Sequence, residues 1–179
     1  MQIDSTRNYF ELFGLPVGFE VDVQSLTERY RDLQRSVHPD RFTNATDRER
    51  RLSMQQASLI NEAYQSLKEP LKRARYLLEL AGVGIDDGSN TVMDTTFLMQ
   101  QMELRETLGE VAEQPEPLVA LEDFAAEVES MINDLMSQLS SCFSDNSEQA
   151  LNTAHGLSLQ LQFLYRLREE AEEREEALL

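Results

Sequence analysis

The stretch YRDLQRSVHPDRF, Tyr30 to Phe42, decides how the chain folds. Proline has no amide proton and its ring pushes the residue before it out of helical geometry, so Pro39 ends the helix that carries Tyr30 near Val37. Backward from that stop, Leu26, Tyr30, Leu33 and Val37 step by four, three and four and share one face. Asp22 stands before them as a helix N-cap. Forward from it, polar residues lead to Asp47, again read as a cap. A long helix then runs to about Lys68, with Leu52, Leu59, Ile60, Ala63 and Leu67 facing inward. Two amphipathic helices on either side of a turn predict an antiparallel hairpin. Shorter helices flank it: Asn8 to Phe13, stopped at Gly14-Leu15-Pro16, and Pro70 to Leu80, ended by Gly82.

The turn itself holds His38, Pro39 and Asp40. A His–Asp pair suggests an acid–base dyad. Against that, Pro39 separates the two on an exposed turn, and no Ser, Cys or metal-ligand cluster lies near in sequence. His155, the other histidine, belongs to the other half. A small hydrolase built on His38 and Asp40 would show turnover by the chain alone, lost in His38→Gln. The plain alternative is that Pro39 stops a helix and Asp40 caps a turn. Arg31 and Arg35, spaced i, i+4 opposite the apolar stripe, add a basic face leading to the tripeptide, although a solvated face explains those two equally.

These residues carry a resemblance. HPD between two helices, with Tyr30, Leu33, Ile60-Asn61-Glu62-Ala63-Tyr64 and Leu67 at these spacings, resembles the J-domain over about residues 8–76. That family docks onto DnaK-type ATPase chaperones and stimulates their ATP hydrolysis. The resemblance implies that His38, Pro39 and Asp40 form the triggering contact. It also implies that Arg29, Arg31 and Arg35 supply a basic helix face, and that Arg41, in place of the more usual lysine after HPD, belongs to the chaperone contact. The chemistry then belongs to the partner, and this chain is no enzyme.

Composition narrows the remainder. The 179 residues carry 16 Lys plus Arg against 33 Asp plus Glu, a formal charge of −17. That disfavours nucleic acid and anionic lipid as partners, since both need a basic face. The charge is uneven: residues 1–76 have 12 basic and 11 acidic residues, and residues 77–179 have 4 and 22. A single cysteine, Cys142, excludes an internal disulfide or a CxxC zinc site and is read as a buried small hydrophobe. The N-terminus reads as neither a signal nor a transit peptide, and no apolar run is long enough to span a bilayer, so the expectation is a cytosolic protein. Residues 82–90, GVGIDDGSN, read as a connecting loop.

Beyond the loop, helices are predicted at about Asp94–Val111, Pro117–Cys142 and Asn146–Ala177, with Glu169 to Glu176 fraying into solvent. Short connections make them a three-helix bundle. At about 100° per residue, Phe97, Gln101, Leu104, Leu108 and Val111 fall in one arc of roughly 80°. Leu98, Met99 and Met102 gather opposite, bordered by Glu103, Glu106 and Glu110. Two readings stand. Neighbouring helices or the J-domain cover both faces, or the second face is an apolar protein-binding patch with an acidic rim. On the last helix Leu157, Leu161, Leu164 and Ala171 point inward. Phe163 sits to their side, as core filler or as an extension of the patch.

With DTTFLMQQMELRETL at 94–108, LQFLYRL at 161–167, Asn8-Tyr9-Phe10, LFGLP at 12–16 and HPDRF, nearly the whole chain is similar to the HscB-type J-domain co-chaperones of bacterial iron-sulfur cluster assembly. The resemblance agrees with the predicted all-α architecture, a J-domain with its following short helix over 1–81, a linker at 82–93 and a C-terminal three-helix bundle over 94–179, for which the apolar residues of Leu71 to Leu80 lead us to expect an L-shaped arrangement. It implies a chaperone partner, HscA, and a scaffold partner, IscU, contacted by Leu98, Met99, Met102, Glu103, Glu106, Glu110 and Phe163. The family often has Leu at the position of Met102. No cofactor and no metal are expected on this chain. A generic J-protein serving DnaK and unfolded clients is the alternative, and a passive acidic adaptor without effect on any ATPase is another.

Overall fold

The computed structural model describes residues 8–37, 46–84 and 95–178. Among these residues there are seven α-helices and no strand. The chain divides into two compact units, Met1–Leu77 and Leu78–Leu179, with the division inside the fourth helix.

In the first unit α1 spans Tyr9–Phe13, α2 Val23–Val37, α3 Asp47–Lys68 and α4 Pro70–Leu80. Five residues cannot hold a helix without help at both ends. Asn8 and Glu11 form a reciprocal capping box, with Oδ1 of Asn8 accepting from the Glu11 amide at 2.9 Å and Glu11 Oε2 from the Asn8 amide at 3.1 Å. At the other end Gly14 turns left-handed at φ 61°. A Cβ there would approach Arg29 Nη1 to 2.9 Å and displace that guanidinium, but it is the left-handed backbone that calls for glycine. Tyr9 also stacks on Tyr76 of α4 with centroids 4.3 Å apart, and its amide donates to the Tyr76 hydroxyl at 2.8 Å.

The hairpin is antiparallel, as the pairing shows. Thr27 meets Tyr64 (hydroxyls 3.2 Å apart), Tyr30 stacks on Tyr64 with centroids 4.1 Å apart, Gln34 donates to Asn61 Oδ1, and Val37 meets Ser53. Leu26, Ile60, Ala63, Leu67, Phe10, Phe13 and Phe19 close the core. Each fully buried leucine or phenylalanine contributes about 1.5–3 kcal/mol. Arg73 is buried with them. It donates to the Leu67 carbonyl at 2.6 Å and covers the Phe19 ring at 5.1 Å.

Two expectations fail in α3. Asp47 does not cap it. Thr46 does, through a capping box with Glu49, and Asp47 is the first helical residue, paired with Arg50 at 2.7 Å. Leu52 does not face inward but is 42% exposed. Ser53, two turns before Ile60 on the same face, takes the buried place and donates its hydroxyl to the Val37 carbonyl at 2.5 Å.

In the second unit α5 spans Thr95–Glu110 and runs into a 3-10 turn at Val111–Glu113. Then α6 spans Pro117–Asp145 and α7 Glu148–Leu178. Thus α6 runs three residues past Cys142, and α7 starts later than Asn146. The reason is local: Asn146 adopts the left-handed conformation (φ 55°) that ends α6, and the Ser147 hydroxyl accepts from the Ala150 amide at 3.2 Å to open α7. Leu121, Phe124, Val128, Ile132, Leu135 and Leu139 of α6 are buried, as are Leu157, Leu161, Leu164, Leu167 and Ala171 of α7. An Arg168–Glu129 pair at 3.2 Å fits the antiparallel register set by the two-residue connection. By contrast α5 lies parallel to α7, because Phe97 meets Phe163, Arg105 meets Glu170 at 3.7 Å, and Leu108 meets Arg174 in the same order along both.

The glutamate-rich end of α7 does not fray. Ala171 is buried, Arg174 donates to the Leu108 carbonyl, and the helix continues to Leu178. Cys142 is half-buried rather than buried. Desolvation, and secondarily the Asp145 carboxylate, push its thiol up from the ordinary value.

Candidate functional site

His38, Pro39, Asp40 and Arg41 lie outside the described residues, as does Asp94. What is described is the frame on either side of the tripeptide. The last residue of α2, Val37, is buried and tied through its carbonyl to Ser53 of α3. The first turn of α3 is fixed by the Thr46–Glu49 box, whose amide and hydroxyl donors hold the Glu49 carboxyl below its usual range. The two ends of the segment 38–45 are therefore anchored on one hairpin.

Three arginines were assigned to one basic face, and the structure separates them. Arg31 and Arg35 are exposed and lie opposite the buried stripe of α2. Arg35 pairs with Asp32 at 3.1 Å. Arg29 flanks the stripe instead, and its Nη1 donates to the carbonyls of Phe13 and Gly14 at the end of α1. It holds α1 onto α2, a role that its i, i+2 offset from Arg31 allowed and that the reading of a single face missed. The sequence reading also passed over Arg48, Arg50 and Arg51, which are exposed at the start of α3. Their signal is the run RERR at 48–51.

The second surface is fully described. On α5 the buried side chains are Phe97, Leu104 and Leu108, followed by Val111, while Gln101 is half-buried. On the opposite face Leu98 is 39%, Met99 61% and Met102 72% exposed. Glu103, Glu106 and Glu110 are exposed beside them. Within the bundle itself, α6 and α7 do not cover this second face of α5. Phe163 of α7 is half-buried, because one edge meets Phe97 at 5.9 Å while the Arg105 guanidinium sits 5.6 Å from its centroid. It is both support and rim. The surface is an exposed apolar strip with carboxylates beside it, the kind of surface on which a macromolecule can dock.

Among the described residues no cluster of three or more His, Cys, Asp or Glu is placed to hold a metal ion. No described helix is long and apolar enough to cross a membrane.

Residues 8–76 match the DnaJ domain family, and residues 93–172 match the family described as the HscB C-terminal oligomerisation domain. The chain is 42% identical over 171 residues to the co-chaperone protein HscB homolog of Shewanella loihica, covering 96% of this chain and 99% of that one. It belongs to the HscB family of co-chaperones. Among solved structures, HscB from Vibrio cholerae superimposes with a TM-score of 0.87 at 42% identity, over 97% of this chain and all of that one. Human HscB superimposes with a TM-score of 0.88 at 31% identity, over 97% and 85%. An HscB family member is a J-domain joined to a helical C-terminal domain. Here the hairpin α2–α3 with its flanking helices is the J-domain, and α5 to α7 lie in the C-terminal domain.

Proposed function

We propose that this co-chaperone binds the iron-sulfur cluster scaffold IscU on the outer face of α5, brings it to the DnaK-type chaperone HscA, and stimulates HscA's ATP hydrolysis through His38, Pro39 and Asp40. The observation that carries the proposal is the exposed strip Leu98–Met99–Met102 with Glu103, Glu106 and Glu110 beside it and Phe163 at its border. Apolar side chains left uncovered on a packed bundle are the anchors an interface needs, and the carboxylates fix orientation at its rim. On the J-domain, exposed Arg31 and Arg35 give the chaperone-facing helix a positive surface, and Arg41 adds its charge next to the tripeptide in sequence. Arg29 acts indirectly, by holding α1. The chain itself hydrolyses nothing, takes no cofactor and works in the bacterial cytoplasm.

The deciding experiment is the ATPase rate of HscA with IscU, with and without this protein. Stimulation that requires all three supports the proposal, and an unchanged rate overturns it. A generic J-protein acting with DnaK on unfolded clients would instead stimulate DnaK and leave HscA with IscU unaffected. Replacing Leu98, Met102 and Phe163 together by Ala separates the two further. It weakens IscU binding if the strip is the scaffold site and leaves unfolded-client delivery unchanged if it is not.

A further inference from the structure

The outer face of α5 is built from oxidisable side chains where inert ones of the same size would serve. Met99 and Met102 are spaced i, i+3, share one face, and are among the most exposed large apolar residues of the protein at 61% and 72%. Met131 and Met136 on α6 are only half exposed or less. Met54 on α3 is 65% exposed but belongs to the other unit, on a helix with no part in the strip. Leucine and methionine have nearly equal volume and interchange at small cost. What methionine adds on a solvent-facing strip is a thioether open to two-electron oxidants.

We infer that Met99 and Met102 form an oxidation-sensitive modification site, and that their conversion to sulfoxides by hydrogen peroxide releases the scaffold protein from α5. The inference rests on the reading of this strip as the scaffold site. In each event the thioether sulfur attacks one peroxide oxygen, a sulfur–oxygen bond forms and the oxygen–oxygen bond breaks. The proton on the transferred oxygen passes to the departing hydroxide, which leaves as water. Sulfur is oxidised by two electrons and the peroxide is reduced by two. Hydrogen peroxide is uncharged, so the rim of Glu103, Glu106 and Glu110 does not repel it. The product is a strongly polar S=O group in place of the apolar anchors of that face. The fold is untouched, because neither side chain belongs to the buried set that holds α5, namely Phe97, Leu104 and Leu108. The carboxylates remain, so the strip changes from an apolar surface with an acidic edge into one that is polar throughout.

The test treats the full chain with graded hydrogen peroxide, follows each methionine by peptide mass spectrometry, and measures IscU affinity at each stage. Met54, Met99 and Met102 are expected to oxidise ahead of Met131 and Met136. Affinity is expected to fall about tenfold, equivalent to 1.4 kcal/mol, in step with Met99 and Met102 and with no change in helicity. Bound IscU should shield Met99 and Met102 while leaving Met54 reactive. The Met99→Leu, Met102→Leu double variant should keep its own starting affinity for IscU after peroxide, while the native chain loses its affinity. Met54→Leu should remain as sensitive as the native chain. Oxidised protein that binds within twofold of the reduced form overturns the inference and leaves the scaffold reading standing. Reduced protein that fails to bind IscU overturns both.

Discussion

The ring of Phe163 on α7 meets the ring of Phe97 on α5 edge-on, with centroids 5.9 Å apart and planes at 89°. Phe97 is buried, while Phe163 keeps part of its surface open beside the exposed strip. The two residues join the interior of the bundle to its outer face. Phe163→Ala is therefore expected to lower the stability of the bundle by about 1–2 kcal/mol, less than a fully buried phenylalanine because the site is half open. It should weaken IscU binding as well. Met102→Ala should weaken binding with a stability change within about 0.5 kcal/mol. Urea unfolding beside IscU titration separates the two, and equal melting losses would place Met102 in the core.

Arg29 and Arg31 differ in the same way within the J-domain. Arg29 donates to the Phe13 and Gly14 carbonyls, so Arg29→Ala should cost about 1–3 kcal/mol in unfolding free energy by leaving both without their charged donor. Arg31→Ala should leave stability unchanged and slow association with HscA at low ionic strength, the difference shrinking as salt screens it. Stopped-flow binding across a salt series checks this, and a salt-independent effect would remove the electrostatic account of Arg31.

Asp40→Asn removes one charge while keeping size, in the segment between Val37, bonded to Ser53, and Thr46, the cap of α3. The variant should keep the native melting curve and lose stimulation of HscA while still binding IscU. Full stimulation by the folded variant would refute the role given to the tripeptide.

The first turn of α3 gives a pH dependence with a defined sign. The Thr46 amide, and then its hydroxyl, lower the Glu49 pKa in the folded state. A depressed carboxyl pKa contributes stability that is fully present above the ordinary carboxylate range and is lost as pH falls through the folded value. The difference in melting temperature between the native chain and Glu49→Gln should therefore be largest near neutral pH and vanish in acid. Thr46→Ala should return the Glu49 titration, followed by carboxyl NMR, toward that of a free glutamate.

The hairpin was legible because both helices carry apolar faces long enough to fix their phase, and Pro39 marks the turn between them. The two-faced character of α5 was equally legible, since Phe97, Leu104 and Leu108 fall a half-turn from Leu98, Met99 and Met102. Errors arose where local chemistry outweighed hydrophobicity. Leu52 yields its buried place to Ser53 because a hydroxyl there satisfies the end of α2. Thr46 displaces Asp47 as cap because Glu49 completes a reciprocal pair only with the residue three before it. Arg29 was grouped with Arg31 by charge alone, although the carbonyls it serves belong to a helix sixteen residues away. The packed end of α7 was misread as frayed because Arg174 finds its acceptor on α5, a contact no window of sequence contains.

The parallel packing of α5 on α7 has a consequence for when this helix is in place. Its contacts with α7 close loops of 65 or 66 residues, from Phe97 to Phe163, Arg105 to Glu170 and Leu108 to Arg174, whereas α6 and α7 are joined by Asn146 and Ser147 alone. Closing the longer loop costs more chain entropy, so the α6–α7 pair assembles first and α5 arrives last. In the native state the order reverses, and α5 is the first segment of the bundle to lift away, its amides exchanging with solvent ahead of those at the centre of α6. A client that grips the outer face of an ordered α5 holds down the most weakly tethered helix of its own receptor.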